Sequence, residues 1–320
     1  MKMSERDVTK QIETRKPLLE IKDLVTRFDL KNGLFGRVYG RIFAVENVSF
    51  NIYPGETLAL VGESGCGKST IARSIMQLDR PVSGSIKFEG QETIGVSPKK
   101  LKAFRRNLQM VFQDPFSSLN PRMTIGKAIA DPILVNKILP YGKAKQRVGE
   151  LLERVGLSRE HMNRYPHAFS GGQRQRICIS RVLGLNPKLI IADEAVASLD
   201  VTIQAQVINL LMDLQADLGI SLLFISHDVA VVERIAHRVA VMYLGEIVEI
   251  GDRKSVFRNP QHPYTQKLFS SVPVPDPRLR RSELNLNFDE IPSALQMPDF
   301  VPKHLPMLKV SETHFVRETA

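Results

Sequence analysis

Short apolar runs alternate along the chain with helical patterns, and this alternation predicts an α/β protein. Continuous apolar runs at 57–61, 188–192 and 221–225 have the length of buried strands. Apolar residues recur at helical spacing after the first run and again between 207 and 214. Because ligands of open α/β sheets bind at the carboxyl ends of strands, the polar residues that follow these runs are the candidates for chemistry.

Two longer strands are predicted near the amino end, at 18–28 and 43–52, and the link 31–41 between them is rich in glycine. Its glycines, which predict a loop, are Gly33, Gly36 and Gly40. Tyr39 is the one tyrosine of this link, and its ring could stack on a flat base or pack the loop onto the sheet. We favour stacking because Tyr39 precedes the glycine-rich stretch at 62–70 by fewer than thirty residues.

Helical patterns broken by prolines dominate between 98 and 164, which predicts a helical insert at about 95–181. This segment carries the excess positive charge of the chain, with 17 Lys/Arg against 5 Asp/Glu. Such an excess is typical of a solvated helical face, or of a surface that contacts nucleic acid or membrane headgroups. Gln113 ends an apolar run at the entrance of the insert, where it could reach the water shell of a metal or a neighbouring subunit.

The stretch GESGCGKST, from Gly62 to Thr70, follows the first buried strand and precedes a helix. Two glycines separated by four residues and followed by Lys and Ser match the loop that binds nucleotide phosphates. Its amides point at one anion, Lys68 adds charge at the outer phosphates, and Ser69 places a hydroxyl where Mg²⁺ would bind. The residues expected to contact the nucleotide are Gly62, Ser64, Gly65, Cys66, Gly67, Lys68, Ser69 and Thr70. The stretch therefore predicts a nucleoside triphosphate site.

The chain has two cysteines: Cys66 lies in this loop, and Cys178 lies on the predicted helix that follows Ser-Gly-Gly at 170–172. They predict neither a disulfide framework nor a metal site. A helix N-terminus, bare amides and Lys68 favour the thiolate, so we expect a lowered pKa for the Cys66 thiol. The alternative is that this position merely needs a small side chain. Cys178 is expected to be buried.

A second glycine turn before a helix closes the insert at FSGGQRQR, residues 169–176. Its candidate residues are Ser170, Gly171, Gly172 and Gln173. Bare amides and a hydroxyl at a helix start can bind an anion, and one nucleotide rarely needs two such loops from one chain. Two chains packed head to tail would each lend this loop to the other's phosphates. The alternative is an ordinary N-cap.

The other two buried strands end in acidic residues and a histidine. Asp193 and Glu194 face opposite ways, so Asp193 could hold Mg²⁺ through water while Glu194 deprotonates the attacking water. Asp200 precedes an amphipathic helix, and His227 follows the strand at 221–225, where it could contact the γ-phosphate. A lone histidine is more often structural, but this one completes a set.

Together these elements resemble the ATP-binding-cassette ATPases over roughly residues 18–251. The resemblance rests on the loop at 62–70, Gln113, Phe169 to Gln173, the Asp193-Glu194 pair, Asp200 and His227. The segments FQDPFSSLNP (112–121), NPQHPYT (259–265) and VPVPDP (272–277) are similar to the oligopeptide and dipeptide importer branch.

The resemblance implies a P-loop NTPase core of the RecA-like, ABC type within 17–251, joined to an antiparallel β subdomain and the helical subdomain at about 95–181. A polar tail (1–16) and a C-terminal extension (252–320) flank this domain. It also implies ATP and Mg²⁺ as cofactors, Ser69, Gln113 and Asp193 near the metal, and catalytic roles for Glu194, His227 and Lys68.

The implied partners are two membrane-spanning permease subunits, a second ATPase subunit, and indirectly an extracytoplasmic solute-binding protein. The expected location is the cytoplasmic face of the inner membrane, with the basic insert near the membrane subunits and no nucleic acid. Importers of nickel or sugars remain open as alternatives. An ABC ATPase acting on nucleic acid is disfavoured, since the chain shows no long coiled coil, no zinc-binding cysteines and no second cassette.

Two features depart from the family pattern. Ala195 replaces the usual proline after Glu194, and the small pair Ala197-Ser198 is reversed, so we expect a looser loop before Asp200. The chain has no cysteine after Cys178, so no iron–sulfur cluster is expected in the extension.

Overall fold

The computed structural model describes residues 16–32, 37–270 and 295–319. The described strands are β1 (Leu19–Asn32), β2 (Arg37–Ile52), β3 (Thr57–Val61), β4 (Ser83–Phe88), β5 (Gln91–Glu92), β6 (Leu108–Val111), β7 (Leu189–Asp193), β8 (Ser221–Ser226), β9 (Arg238–Tyr243), β10 (Glu246–Asp252), β11 (Leu295–Gln296), β12 (Met307–Lys309) and β13 (Phe315–Arg317). They form a large sheet in the order β12-β13-β10-β9-β3-β8-β7-β6 and a small sheet in the order β11-β2-β1-β4-β5.

The described α-helices are α1 (Lys68–Ile75), α2 (Pro98–Asn107), α3 (Pro115–Ser118), α4 (Ile125–Val135), α5 (Tyr141–Arg154), α6 (Gly171–Leu183), α7 (Val201–Leu218), α8 (Val229–Ile235), α9 (Arg253–Arg258) and α10 (Pro263–Ser270). Short 3-10 helices lie at Arg159–Asn163 and Pro166–Ala168. No helix in the described ranges combines the length and apolar character needed to cross a membrane.

Five neighbouring strands of the large sheet, β9, β3, β8, β7 and β6, are parallel, so their carboxyl ends lie at one edge. The three runs predicted as buried strands are β3, β7 and β8, and every residue of each is buried. Strand β10 continues the sheet in antiparallel pairing with β9. The α/β prediction is thereby confirmed, and the strand ends meet as expected.

Side chains of the central strands alternate between two apolar cores. Ala59 and Val61 of β3 face the core formed with α4 to α8, whereas Leu58 and Leu60 face the core formed with α1 and the small sheet. Strands β7 and β8 divide in the same way. Because adjacent strand residues point to opposite faces, one continuous apolar run supplies both cores.

The segment predicted as a helical insert contains one strand of the large sheet. Strand β6 pairs with β7 in parallel, with Gln109 opposite Ile190. Along the chain, this strand of the large sheet separates α2 from α3 and the helices that follow. The short apolar run that ends at Gln113, near the start of the predicted insert, marks this strand in the sequence.

The predicted loop at 31–41 is shorter than expected. Strand β1 extends to Asn32 and β2 starts at Arg37, so Tyr39 and Gly40 belong to a strand. The cross-strand pairing of Lys31 with Val38 continues the hairpin towards its tip. Gly33 and Gly36 lie outside the described residues, as do the tail up to residue 15 and the motif at 272–277.

Candidate active site

The glycine-rich loop joins β3 to α1, as the sequence predicts. Gly62, Gly65 and Gly67 all have positive φ angles, of 153°, 84° and 108°. A Cβ atom on Gly62 would lie 2.2 Å from the Met242 carbonyl oxygen, and one on Gly67 would lie 2.0 Å from the Ala44 carbonyl oxygen. These two positions therefore need glycine both for the backbone angle and for close approach of neighbouring strands.

Lys68 is the first residue of α1, and its side chain is buried. Its Nζ donates to the carbonyl oxygens of Gly62, at 2.8 Å, and Glu63, at 2.7 Å. These bonds hold the ammonium group over the loop, next to the amides at the start of α1. The arrangement places one full positive charge and a helix N-terminus at the same point, which favours a phosphate group.

Ser69 and Asp193 lie together, with the serine Oγ donating to Asp193 Oδ1 at 2.9 Å. Burial is the main cause of a raised pKa for Asp193, and the hydrogen bond from Ser69 partly offsets it. A hydroxyl and a carboxylate are oxygen ligands of the kind that Mg²⁺ prefers. In the described ranges no group of three His, Cys, Asp or Glu side chains could hold a metal. As a hydroxyl and a carboxylate, Ser69 and Asp193 fit Mg²⁺.

The structure brings Gln113, Glu194 and His227 together. Gln113 Nε2 donates to Glu194 Oε2 at 2.7 Å, and His227 Nδ1 lies 3.4 Å from Glu194 Oε1. This contact joins residues from the ends of three parallel strands, because β6, β7 and β8 are neighbours in the sheet. Glu194 itself has a φ of +46°, an unusual angle for a residue other than glycine. The carboxylate is thus held from both sides beside Asp193.

Ser170 is the N-cap of α6, which agrees with the alternative that this turn is an ordinary helix cap. Its Oγ accepts from Gln173 N at 3.4 Å, and Gln173 Oε1 accepts from Ser170 N at 3.1 Å, which completes a capping box. Asp200 caps α7 in turn by accepting from Ile203 N. In the part of the chain that the structure describes, no hydrogen bond joins Ser170, Gly171, Gly172 or Gln173 to the phosphate loop. A role towards a second chain stays a prediction.

The loop between Glu194 and Asp200 is packed onto the protein. Ala195 and Val196 are buried, and Ala197 N donates to the Glu194 carbonyl oxygen at 3.1 Å. The exposed part of this segment is confined to the residues nearest Asp200.

Tyr39 lies in β2 and is exposed over 56% of its surface. Stacking on a base stays a prediction for this residue.

The expectation for the Cys66 thiol is wrong in direction. Cys66 is buried, and burial raises the pKa of its thiol although Lys68 Nζ lies 3.6 Å from the sulfur and acts in the opposite direction. Desolvation of the thiolate outweighs one nearby charge that the loop carbonyls already share. Cys178 is buried, as predicted, and burial raises its pKa to about 11.

Tyr264 contacts the site, although the sequence motifs did not predict this. Its hydroxyl oxygen accepts from the backbone N–H of Glu63 in the phosphate loop at 3.0 Å. The two residues are 201 positions apart, so no local pattern could reveal the contact. The His-Pro-Tyr segment that contains Tyr264 was the available signal, but it pointed to a family branch and not to the loop.

The ABC transporter family matches residues 45–197. The solved structure of cbiO1 from Clostridium perfringens, part of the ABC transporter complex cbiONQ, aligns with a TM-score of 0.65 at 30% identity, over 77% of this chain and 92% of that one. The chain belongs to the ABC transporter family. Residues 248–299 match a second family, the oligopeptide/dipeptide transporter C-terminal region.

Curated relatives of this ABC transporter chain carry the name glutathione import ATP-binding protein GsiA. The protein from Pectobacterium atrosepticum is 55% identical over 300 residues, which are 94% of this chain and 48% of the relative. The one from Escherichia coli K12 is also 55% identical, over 97% of this chain and 50% of the relative. The chain therefore spans about half the length of these relatives. The dimeric ATP-binding cassette MJ0796, solved with ADP and Pi, is 27% identical with a TM-score of 0.65, over 73% of this chain and 98% of that one.

Proposed function

We propose that this chain binds ATP with Mg²⁺ in the loop at 62–70 and hydrolyses it to drive import of a peptide-type solute across a membrane. The observation that carries the proposal is the contact of Glu194 with both Gln113 and His227, beside the bonded pair Ser69 and Asp193. A hydrolysing site needs a base next to the metal ligands, and a site that only binds nucleotide does not.

Each group of residues has its own role in ATP binding and hydrolysis. The loop amides and Lys68 hold the phosphates, and Tyr39 stacks on the base. Ser69 and Asp193 would hold Mg²⁺, which when bound would neutralise negative charge on the phosphate oxygens. Glu194 accepts a proton from the attacking water, while Gln113 and His227 orient its carboxylate.

A second ATPase subunit completes the site in this proposal. Ser170 and the following glycines would face nucleotide bound by the partner's loop, with Asp200 at the same interface. Support comes from the exposure of Ser170 and Asp200, from the closeness of Gly171 to Leu199, the neighbour of Asp200 in the chain, and from the dimeric form of MJ0796.

We propose a peptide-type solute because the C-terminal region matches oligopeptide/dipeptide transporters and the relatives are named for import of glutathione, a short peptide. The partners would be two permease subunits and, through them, a solute-binding protein, with this chain on the cytoplasmic face of the membrane.

The decisive experiment replaces Glu194 by Gln, which keeps the shape of the side chain and removes the base. We expect ATP affinity to stay within about twofold while turnover falls by a factor of about 10² or more. ATP-bound dimers should also accumulate, and adding Ser170→Arg should prevent them. Turnover is measured by phosphate release and dimers by size-exclusion chromatography with MgATP.

Glu233→Gln, at an exposed position on α8, is the matched control and should behave as the wild type. Near-normal hydrolysis by the Glu194→Gln protein would mean that the base is elsewhere, and the proposal for Glu194 would then be abandoned.

A further inference from the structure

The His-Pro-Tyr segment, about 200 residues further along the chain, contacts the phosphate loop. Helix α10 begins at Pro263, and the Tyr264 hydroxyl oxygen accepts the N–H of Glu63 at 3.0 Å. Tyr264 is only 8% exposed, and its ring packs against the Tyr243 ring with 4.2 Å between centroids. A hydroxyl held by a buried ring in this way has one fixed position, unlike that of an exposed tyrosine.

The start of α10 is itself held firmly. Glu249, fully buried in β10, accepts from the backbone N–H of Gln261 and of His262, both at 2.9 Å. His314 Nε2 lies 2.7 Å from the same carboxylate, and His262 Nδ1 accepts from Tyr264 N at 3.2 Å. Three polar contacts to one buried carboxylate, together with the bond from Tyr264 N to His262, therefore fix the backbone that carries Tyr264 to the large sheet.

The Gly62–Glu63 peptide group is clamped at both of its polar ends. Its N–H is held by Tyr264, and its carbonyl oxygen, that of Gly62, accepts from Lys68 Nζ at 2.8 Å. A peptide group is planar, so rotating it about the chain would break both bonds at once. Gly62 has no side chain to resist such a rotation, which leaves these two bonds as the restraint.

We propose that Tyr264 is a positioning residue for nucleotide binding: it fixes the Gly62–Glu63 peptide so that the phosphate loop is pre-formed and Lys68 is directed along it. This inference rests on the nucleotide binding proposed above. Without the tyrosine hydroxyl, the loop spends part of its time with this peptide rotated and Lys68 released from Gly62. The apparent Kd then equals the Kd of the formed loop divided by the fraction of molecules whose loop remains formed.

The test compares Tyr264→Phe with Tyr243→Phe in the full chain. Phenylalanine keeps each ring and its stacking, so both variants should fold, with thermal midpoints within about 2–4 °C of the wild type. Among the described residues the Tyr243 hydroxyl has no hydrogen bond, so its loss is the matched control. The Kd for a non-hydrolysable ATP analogue with Mg²⁺ should rise about fivefold in Tyr264→Phe and less than about twofold in Tyr243→Phe.

Amide hydrogen exchange in the nucleotide-free chain gives a second, direct readout. The Glu63 amide should exchange faster in Tyr264→Phe and at the wild-type rate in Tyr243→Phe. Unchanged affinity in Tyr264→Phe would overturn the inference, as would equal losses in both variants, since the ring and not the hydroxyl would then act. If the wild type itself fails to bind the analogue, it is the proposed function that fails and the inference falls with it.

Discussion

Both cysteine thiols of the chain are buried, and their reactivity follows from that burial. Because burial raises the pKa of Cys66 and brings that of Cys178 to about 11, the thiolate fraction at neutral pH is below that of a free cysteine. We expect slow modification of both by a maleimide in the folded chain. At Cys178 the rate should rise about tenfold per pH unit from about pH 7 to about pH 9 without levelling.

The control is the same chain unfolded in guanidinium, where both thiols should react as free cysteines do. Mass spectrometry of labelled peptides separates the two sites. A Cys66 rate that levels off below about pH 8.5 would mean that Lys68 and the loop amides outweigh burial after all.

Helices α6 and α7 approach each other too closely for a side chain at Gly172. A Cβ on Gly172 would lie 2.2 Å from Ile203 Cγ2, whereas the nearest atom to one on Gly171 is Leu199 Cδ2, at 3.6 Å. Isoleucine is stiff at χ1, so its branch cannot move aside easily. We expect Gly172→Ala to lower the free energy of unfolding by about 1–3 kcal/mol in urea titrations, by overpacking.

Gly171→Ala provides the matched control and should stay within about 1 kcal/mol of the wild type. Since Ile203→Ala removes Cγ2, Gly172→Ala should cost clearly less in that background, and the double-mutant cycle measures the difference. An equal cost in both backgrounds would show that the helix contact is not the cause.

Across the molecule, the C-terminal segments extend both sheets. Strand β11 pairs with β2 in the small sheet, and the β12–β13 hairpin pairs with β10 in the large one. The hairpin is anchored by the buried contact of His314 with Glu249, whereas the similar contact of His304 with Glu246 is partly exposed. Residues far apart in sequence therefore complete both sheets.

This difference in burial predicts different costs for the two histidines. His314→Ala should lower the free energy of unfolding by about 1–3 kcal/mol, because it leaves a buried carboxylate short of a partner. His304→Ala should change it by less than about 1 kcal/mol, since water replaces the exposed contact. Urea titrations of both variants check this, and equal costs would contradict the role assigned to the buried anchor.

The sequence by itself determined the α/β class, the three core strands and the residues at their ends. Continuous apolar runs are local signals, and the carboxyl ends of parallel strands must meet, so Asp193, Glu194 and His227 could be predicted to lie near one another. The phosphate loop could also be predicted, because the spacing of its glycines reflects the backbone angles that the loop needs.

Tertiary structure alone decided the rest, because these features depend on contacts between distant segments. The extent of β1 and β2 around Tyr39 is set by cross-strand pairing, and the pKa of Cys66 by burial that no local pattern reports. An apolar run marks β6 in the sequence, but its pairing with β7, which places a core strand between the helical segments near 98–107 and 171–183, depends on contacts between distant residues. The bond from the Glu63 amide to Tyr264 joins residues 201 positions apart, and only folding brings them together.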